Sequence, residues 1–357
     1  MPELQGMGLG QAIVELRGGL SGMLGWLILH TGIGAAGTWL ARRYALQRNL
    51  LDLPGARRSH DVATPRGGGI AIVLALVVAA VALALRAPGQ AILMTAFAVG
   101  TLLVATVGWI DDHRPLSPWL RLSVHVLAGG VFAAAMQHGF GNVWVSLSAF
   151  AATVVLTNVW NFMDGINGIA ATQALLAAVA VAVALAGAGV WMLIALALAA
   201  ACLGFLPFNF PQARIFMGDV GSGAIGFAIA ALAMVAVARQ GNGAISLMLP
   251  LSPFLVDAGL TLLRRLVRGE RWWTPHTQHA YQVWARRRGH AVVTLAYVAW
   301  SATGVAVMIV MDGLPAIIML RICVAWYLAA VLAWWWVQRL ETGGNGTERV
   351  PMKKSSE

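Results

Sequence analysis

The chain has 357 residues, of which 59% are hydrophobic and 11% charged, and its mean hydropathy is +0.75. That balance excludes an ordinary soluble globular domain. The formal charge of +10 does not point to nucleic acid either, because nearly all the arginine falls between apolar runs instead of forming a basic face.

A bilayer-crossing helix needs about 17 to 25 apolar residues. Runs of that kind occur at 20–41, 68–86, 91–110, 119–138, 145–162, 167–186, 190–207, 222–239, 244–263, 291–311 and 314–337. The expected fold is therefore all-α, a polytopic membrane protein with about eleven transmembrane helices. Residues 1–340 read as a single polytopic domain without internal repeats, and 341–357 as a C-terminal tail without fixed structure. No basic region precedes the first apolar run and no cleavage site follows it, so that run is expected to be an uncleaved helix. Cys202 and Cys323 lie inside apolar runs with no metal-ligand spacing and read as small core residues. The Asn-Gly-Thr at 345–347 falls in the tail and reads as a chance sequon.

Retained cytoplasmic loops carry the excess of Lys and Arg. Twenty of the 24 basic residues fall in odd-numbered loops and the C-terminal tail, against Arg17, Arg86 and Arg239 on the other side, with Arg321 inside the last span. Odd-numbered loops and the C-terminus are thus expected in the cytoplasm.

Charges in or beside membrane spans are costly and mark functional sites by default. Asp111, Asp112, Asp164, Asp219 and Asp257 come from four parts of the chain, yet all fall at or near the cytoplasmic ends of predicted spans. A polar reaction chamber at one membrane face accounts for this shared side; scattered structural carboxylates do not.

In chain order, DLPGARRSHDVATPRGGG (52–69) offers Arg57, Arg58, His60 and Arg66 with three glycines as a phosphate cradle. WIDDHRP (109–115) ends the third span with adjacent acids, whose side chains point about 100° apart on a helix. The helix dipole disfavours acids there, so a cation must offset them; a plain salt bridge to Arg114 is the simpler reading. In TNVWNFMDGING, the spacing of Asn158, Asn161 and Asp164 keeps them near one helix face. They are expected to line a water-filled cavity with Asn167; hydrogen bonding between helices is the alternative, which explains the amides better than it explains Asp164.

FMGDVGSGAIGF (216–227) places Asp219 among glycines before an apolar helix. Residues 221–226 match G-x-G-x-x-G, but no strand precedes them and the dinucleotide reading is rejected. Free amides at that helix start would still favour phosphate, and Asp219 beside them suits Mg²⁺. In RRLVRGERWWTPHTQHAYQVWARRR, Thr274 and Pro275 predict a helix start that puts His276 and His279 on one face for anion binding. Zinc is disfavoured because no H-E-x-x-H is present. A basic interfacial loop explains the Arg and Trp but not the paired histidines. The remaining histidines, among them His30, His125 and His138, read as packing or interface residues.

Together TPRGGG, DDHRPLSPWLR, NVWNFMDGINGIA, FMGDVGSGAIGF and PHTQHAYQ, in this order over about residues 50–285, resemble the polyprenyl-phosphate N-acetylhexosamine-1-phosphate transferase family, nearest its O-antigen initiating type. The resemblance implies a bacterial plasma-membrane enzyme with a cytoplasmic active site. It would transfer N-acetylhexosamine 1-phosphate from a UDP-sugar to undecaprenyl phosphate and release UMP. It implies Mg²⁺, or Mn²⁺ in its place, on Asp219. Asp111 and Asp112 would lie nearest the lipid phosphate, Asn161 and Asp164 in the nucleotide and metal pocket, and His276 and His279 on the pyrophosphate. Asp257 would orient nearby Arg, and Arg66 and Arg121 would be weaker candidates for phosphate contact. The shorter histidine motif leaves the donor open among GlcNAc, FucNAc and QuiNAc. A homodimer also stays open.

Two other classes compete. A secondary transporter would place its acids near the bilayer midplane in inverted repeats, and an aspartyl protease would pair Asp164 with Asp219. The one-sided acids and the absence of a G-x-G-D pattern favour the transferase.

Overall fold

The computed structural model describes residues 9–53, 62–271, 273–274 and 276–344. Its helices in chain order are α1 (Leu9–Gln47), α2 (Ile70–Arg86), α3 (Ala91–His113), α4 (Pro118–Phe140), α5 (Val143–Met163), α6 (Ile169–Ala184), α7 (Val190–Asn209), α8 (Asp219–Gln240), α9 (Met248–Val267), α10 (Ala280–Arg288), α11 (His290–Val310) and α12 (Ala316–Gly344). Among the described residues, nine helices are long and apolar enough to cross a membrane, while α2 and α6 are shorter apolar helices. These eleven occupy the eleven predicted runs, so the chain is an all-α polytopic membrane protein. Of the predicted tail, 341–344 continue α12, and the rest lies outside the described residues. Beyond the helices, two short strands, β1 (Leu51–Asp52) and β2 (Thr64–Pro65), pair antiparallel.

Helix α8 is apolar all round and occupies the centre, with α3, α5 and α2 packed on it. Lipid tails are as apolar as the helices, so close backbone packing must hold such a bundle together. Small residues provide it: a Cβ on Gly226 would lie 2.3 Å from the Leu156 carbonyl oxygen of α5, and one on Gly108 of α3 would lie 2.3 Å from the Asp219 carbonyl oxygen. The 221–226 glycines thus seat helices against each other, in agreement with rejecting the dinucleotide motif.

The glycines at 67–69 have a related use. The amides of Gly68 and Gly69 donate to the Phe216 and Met217 carbonyls, both at 2.9 Å, and the Phe216 amide donates to the Pro65 carbonyl at 2.8 Å. These amides stitch two loops together and are not free to cradle a phosphate, contrary to the expectation for that stretch. Arg57, Arg58 and His60 of the same expectation lie outside the described residues.

Helix α9 runs to Val267, which puts Asp257 ten residues before its end, about 15 Å along the axis. Asp257 is buried within the bundle. The chain beyond α9 folds back to meet it, so that α10 starts beside Asp257.

Candidate active site

The site forms where the C-terminal ends of α3 and α5 meet the N-terminus of α8. Asp112, 3% exposed, accepts the Asp219 amide on Oδ1 and the Val220 amide on Oδ2, both at 3.1 Å. A carboxylate is the best partner for orphan amides at a positive helix end. The expectation of free amides there is therefore corrected: the anion at the start of α8 is Asp112. Gly218, at φ +77°, makes this approach feasible, since a Cβ there would sit 2.6 Å from Asp112 Oδ2. Arg66 adds a guanidinium, its Nη2 donating to the Asp112 backbone carbonyl and its Nε lying 3.8 Å from Asp112 Oδ1.

Asp111 points elsewhere, as the 100° step requires. Its Oδ1 accepts the Leu116 amide at 2.6 Å, and its Oδ2 accepts from Arg121 Nη1 at 2.7 Å. The same Nη1 donates to Asp219 Oδ2 at 3.0 Å, while Asp219 Oδ1 accepts from Asn161 Nδ2 at 2.9 Å. Asn161 also donates to Ser222 Oγ at 3.2 Å. The cations that offset the acid pair are Arg121 and Arg66, and not the Arg114 of the simpler reading.

Of these groups, Arg121, Asn161 and Asp219 close the polar end of a cavity of about 270 Å³. Its other walls are mostly apolar, drawn from α3, α4, α5 and α9, with Trp119 and Trp273 among them and Asn158 beside His125 further in. The rings of Trp119 and Trp273 lie 5.9 Å apart, bringing the loop before α10 against the start of α4. Asn158 lines the cavity but spends its Nδ2 on the Val154 carbonyl of its own helix.

Asp164 caps the C-terminal end of α5, half-buried. Burial, and then the negative charge of Asp112, push its carboxyl up to about 7. Gly168, at φ +76°, turns the chain into α6. Asn167 does not line the cavity: its Nδ2 donates to the Pro211 carbonyl at 3.0 Å and its own carbonyl accepts from Thr294. The amides of NFMDGING thus divide, one serving Asp219 and the other fastening the turn.

His276, His279 and Asp257 form a second cluster. Asp257, 2% exposed, accepts the Ala280 and Tyr281 amides at 2.8 and 3.0 Å and the Tyr297 hydroxyl at 2.9 Å. It caps α10 from another helix and, among the described residues, has no arginine partner, which corrects the role expected for it. Both histidines precede α10, which begins at Ala280 and not at the predicted Thr274–Pro275; Pro275 lies outside the described residues. Their rings still come together at 4.8 Å, with His279 buried and its Nδ1 3.6 Å from Asp257 Oδ1. Burial and neighbouring positive charge lower His276 to about 4, so its imidazole is neutral at physiological pH.

Tyr281 joins the two clusters. Its hydroxyl donates to the Phe162 carbonyl at 3.0 Å, and Phe162, next to Asn161, lines the cavity. Burial raises this phenol far above its usual range, so it stays a donor. Neither Tyr281 nor Ser222 stood out in the sequence, because a single hydroxyl side chain carries no spacing signal.

Comparison with known proteins agrees with this arrangement. Residues 94–237, which include Asp111, Asp112, Asn161, Asp164 and Asp219, match the model of glycosyl transferase family 4. The chain is 30% identical over 326 residues to the decaprenyl-phosphate N-acetylglucosaminephosphotransferase of Mycolicibacterium smegmatis, covering 78% of this chain and 77% of that one. It is 26% identical over 268 residues to the undecaprenyl-phosphate alpha-N-acetylglucosaminyl 1-phosphate transferase of Thermotoga maritima, covering 72% and 80%. Against the phospho-N-acetylmuramoyl-pentapeptide-transferase of Moorella thermoacetica it is 37% identical over 206 residues, covering 50% and 64%. With membrane-spanning helices that gather five carboxylates into two linked clusters, and with relatives of this kind matching along most of its length, the chain belongs to the polyprenyl-phosphate N-acetylhexosamine-1-phosphate transferase family.

Proposed function

We propose that the chain transfers N-acetylhexosamine 1-phosphate from a UDP-N-acetylhexosamine to undecaprenyl phosphate, releasing UMP, on the cytoplasmic side of a bacterial plasma membrane. The reading rests on one observation above all. Arg121, braced by Asp111, and Asp219 lie at the polar end of a cavity whose remaining walls are mostly apolar and drawn largely from membrane-spanning helices. A lipid phosphate suits such a place, with its head among charges and its chain among hydrocarbon side chains. The lopsided Arg distribution supports the cytoplasmic side.

The donor set fits Mg²⁺. Among the described residues no cluster of three or more ligand-type side chains occurs, but Mg²⁺ is usually held by one or two carboxylates together with substrate phosphates. Asp111 and Asp219 already converge on one cationic nitrogen, and the Asp219 side chain keeps 33% of its surface exposed. These two would hold the ion, which when bound neutralises phosphate charge at the site.

In the reaction, an oxygen of the lipid phosphate attacks the sugar-bearing phosphorus of the donor. The P–O bond to the UMP phosphate breaks, and UMP leaves with the bridging oxygen. At neutral pH much of the lipid phosphate is already dianionic, since its second pKa is about 6, so this step needs no carboxylate base. Arg121 offsets the charge of two anions brought together, and Asn161 fixes the Asp219 rotamer. His276, neutral and half-buried, suits hydrogen bonding to the donor pyrophosphate more than ion pairing. The motif pattern favours an O-antigen type initiator with GlcNAc, FucNAc or QuiNAc as the sugar.

The test is UMP release by purified protein with Mg²⁺, with Mn²⁺ and with neither, across a panel of UDP-N-acetylhexosamines, with and without undecaprenyl phosphate. Lipid-dependent release that disappears in Asp219→Asn supports the reading and identifies the donor. Release without lipid, or undiminished in that variant, refutes it.

A further inference from the structure

On another face of α9, away from the cavity just described, its C-terminal turns and those of α12 enclose a crevice of about 460 Å³. Three cations from the two helices line it: Arg264, Arg268 and Arg339. Trp334 and Trp335 form one wall and aliphatic side chains of α9 the other, and none of the described lining residues is acidic. By length and composition, the candidate membrane spans run to Val267 in α9 and to Arg339 in α12. The cations thus lie at the ends of these spans, the level at which arginine suits lipid headgroups.

The crevice is built rather than incidental. Trp334 Nε1 donates to Thr261 Oγ1 of α9 at 3.3 Å, and Arg264 Nη1 donates to Gln338 Oε1 of α12 at 2.8 Å. The Arg339 guanidinium lies 3.5 Å from the Trp335 ring centroid, which places its charge over an aromatic face. Indoles at headgroup level with arginines between two helices match what an anionic lipid offers, a phosphate above and acyl chains below.

We propose that this crevice binds an anionic phospholipid of the surrounding bilayer. Its phosphate is taken by Arg264, Arg268 and Arg339, and its upper acyl chain lies along Trp334, Trp335 and the aliphatic wall of α9. The site also has a route to the histidine loop. Gln338, which accepts from Arg264, donates through Nε2 to the Gln278 carbonyl at 2.8 Å, and Gln278 lies between His276 and His279. A phosphate that orders Arg264 thereby steadies this loop, so the lipid supports activity as well as binding. This second part rests on the function proposed above; the binding itself does not.

The experiment places the full chain in nanodiscs of phosphatidylcholine alone or in equal mixture with phosphatidylglycerol. Retained lipid is identified by native mass spectrometry, and UMP release is measured in parallel. Arg268→Gln/Arg339→Gln removes two of the charges and leaves the Arg264–Gln338 bond; Arg268→Lys/Arg339→Lys keeps the charge. Selective retention of phosphatidylglycerol is expected, weakened on the order of fivefold per arginine removed and largely kept in the Lys variant. UMP release should rise with phosphatidylglycerol in the native chain and not in the Gln variant. Equal retention of the two lipids, or retention unaffected in a Gln variant that unfolds at the native temperature, overturns the site. Displacement by inorganic phosphate overturns the lipid assignment in favour of a free-anion site. Retention as expected with release unaffected by phosphatidylglycerol overturns only the link to the histidine loop, and absence of release under any condition points to the transferase reading instead.

Discussion

Asp111 and Asp219, from α3 and α8, accept hydrogen bonds from the same nitrogen, Nη1 of Arg121, at 2.7 and 3.0 Å. One guanidinium thus holds together two acids that would otherwise repel. Arg121 and Asp219 line the cavity and face any phosphate that enters it, while Asp111 holds Arg121 from behind.

Removing that guanidinium exposes both roles. Arg121→Gln should lower UMP release by about 10² to 10³, the range typical of losing one electrostatic contact to a charged transition state. Arg121→Lys restores the charge but not the planar, forked geometry, and should recover only part of the loss. Steady-state kinetics over both substrates check this; a Lys variant with native kcat would show that charge alone suffices.

Asp112 and Asp219 should separate by experiment. Asp112 is buried and caps α8, so Asp112→Asn, whose amide offers one acceptor for two N–H groups, should cost about 1 to 3 kcal/mol of stability. Asp219→Asn alters a partly exposed carboxylate and should leave thermal unfolding close to native while abolishing turnover. Unfolding temperatures of the two variants in one detergent decide it.

The raised carboxyl of Asp164 gives a pH signature. The folded chain holds this proton up to about pH 7, whereas an unfolded chain releases it near 4. The associated stability is complete below about pH 4 and is lost as pH rises through about 7. Asp164→Asn, which never ionises, should therefore unfold at a higher temperature than the native chain at pH 8, with the gap closing toward pH 5. A gap that widens as pH falls would reverse the sign and refute the assignment. His276, near 4, keeps its charge state across this range, so His276→Gln should leave any activity limb near pH 7 in place.

Helix packing offers a paired test. Gly226→Ala puts a methyl 2.3 Å from the Leu156 carbonyl and should cost about 1 to 3 kcal/mol or prevent folding. Gly130→Ala, where nothing lies within 4 Å, should be neutral or slightly stabilising. Yield of monodisperse protein and unfolding temperature compare the two.

The eleven apolar helices were legible because bilayer thickness imposes a length that a linear scan detects. What escaped depended on partners distant in sequence. Asp111 and Asp112 look alike as neighbours, and only packing shows one turned to Arg121 and the other to the amides of α8. The start of α10 was misplaced because its cap is Asp257, more than twenty positions earlier on another helix; a cap supplied from elsewhere leaves no local trace, and Thr274–Pro275 gave a false one. The glycines at 67–69 suggested a phosphate loop, but the amides of Gly68 and Gly69 were already committed to residues 216 and 217.

The bond from Asp112 to the start of α8 spans 107 positions, which bears on how the protein is made. A nascent chain inserts α3 well before α8 emerges, so Asp112 first meets the lipid interface without the amides it will later receive. A fragment ending after α7 should accordingly insert but remain unsettled, its acidic end open to degradation machinery. Arrival of α8 between α3 and α5 satisfies Asp112 and delivers Asp219 in the same event, so that completion of the bundle and appearance of the reaction centre coincide.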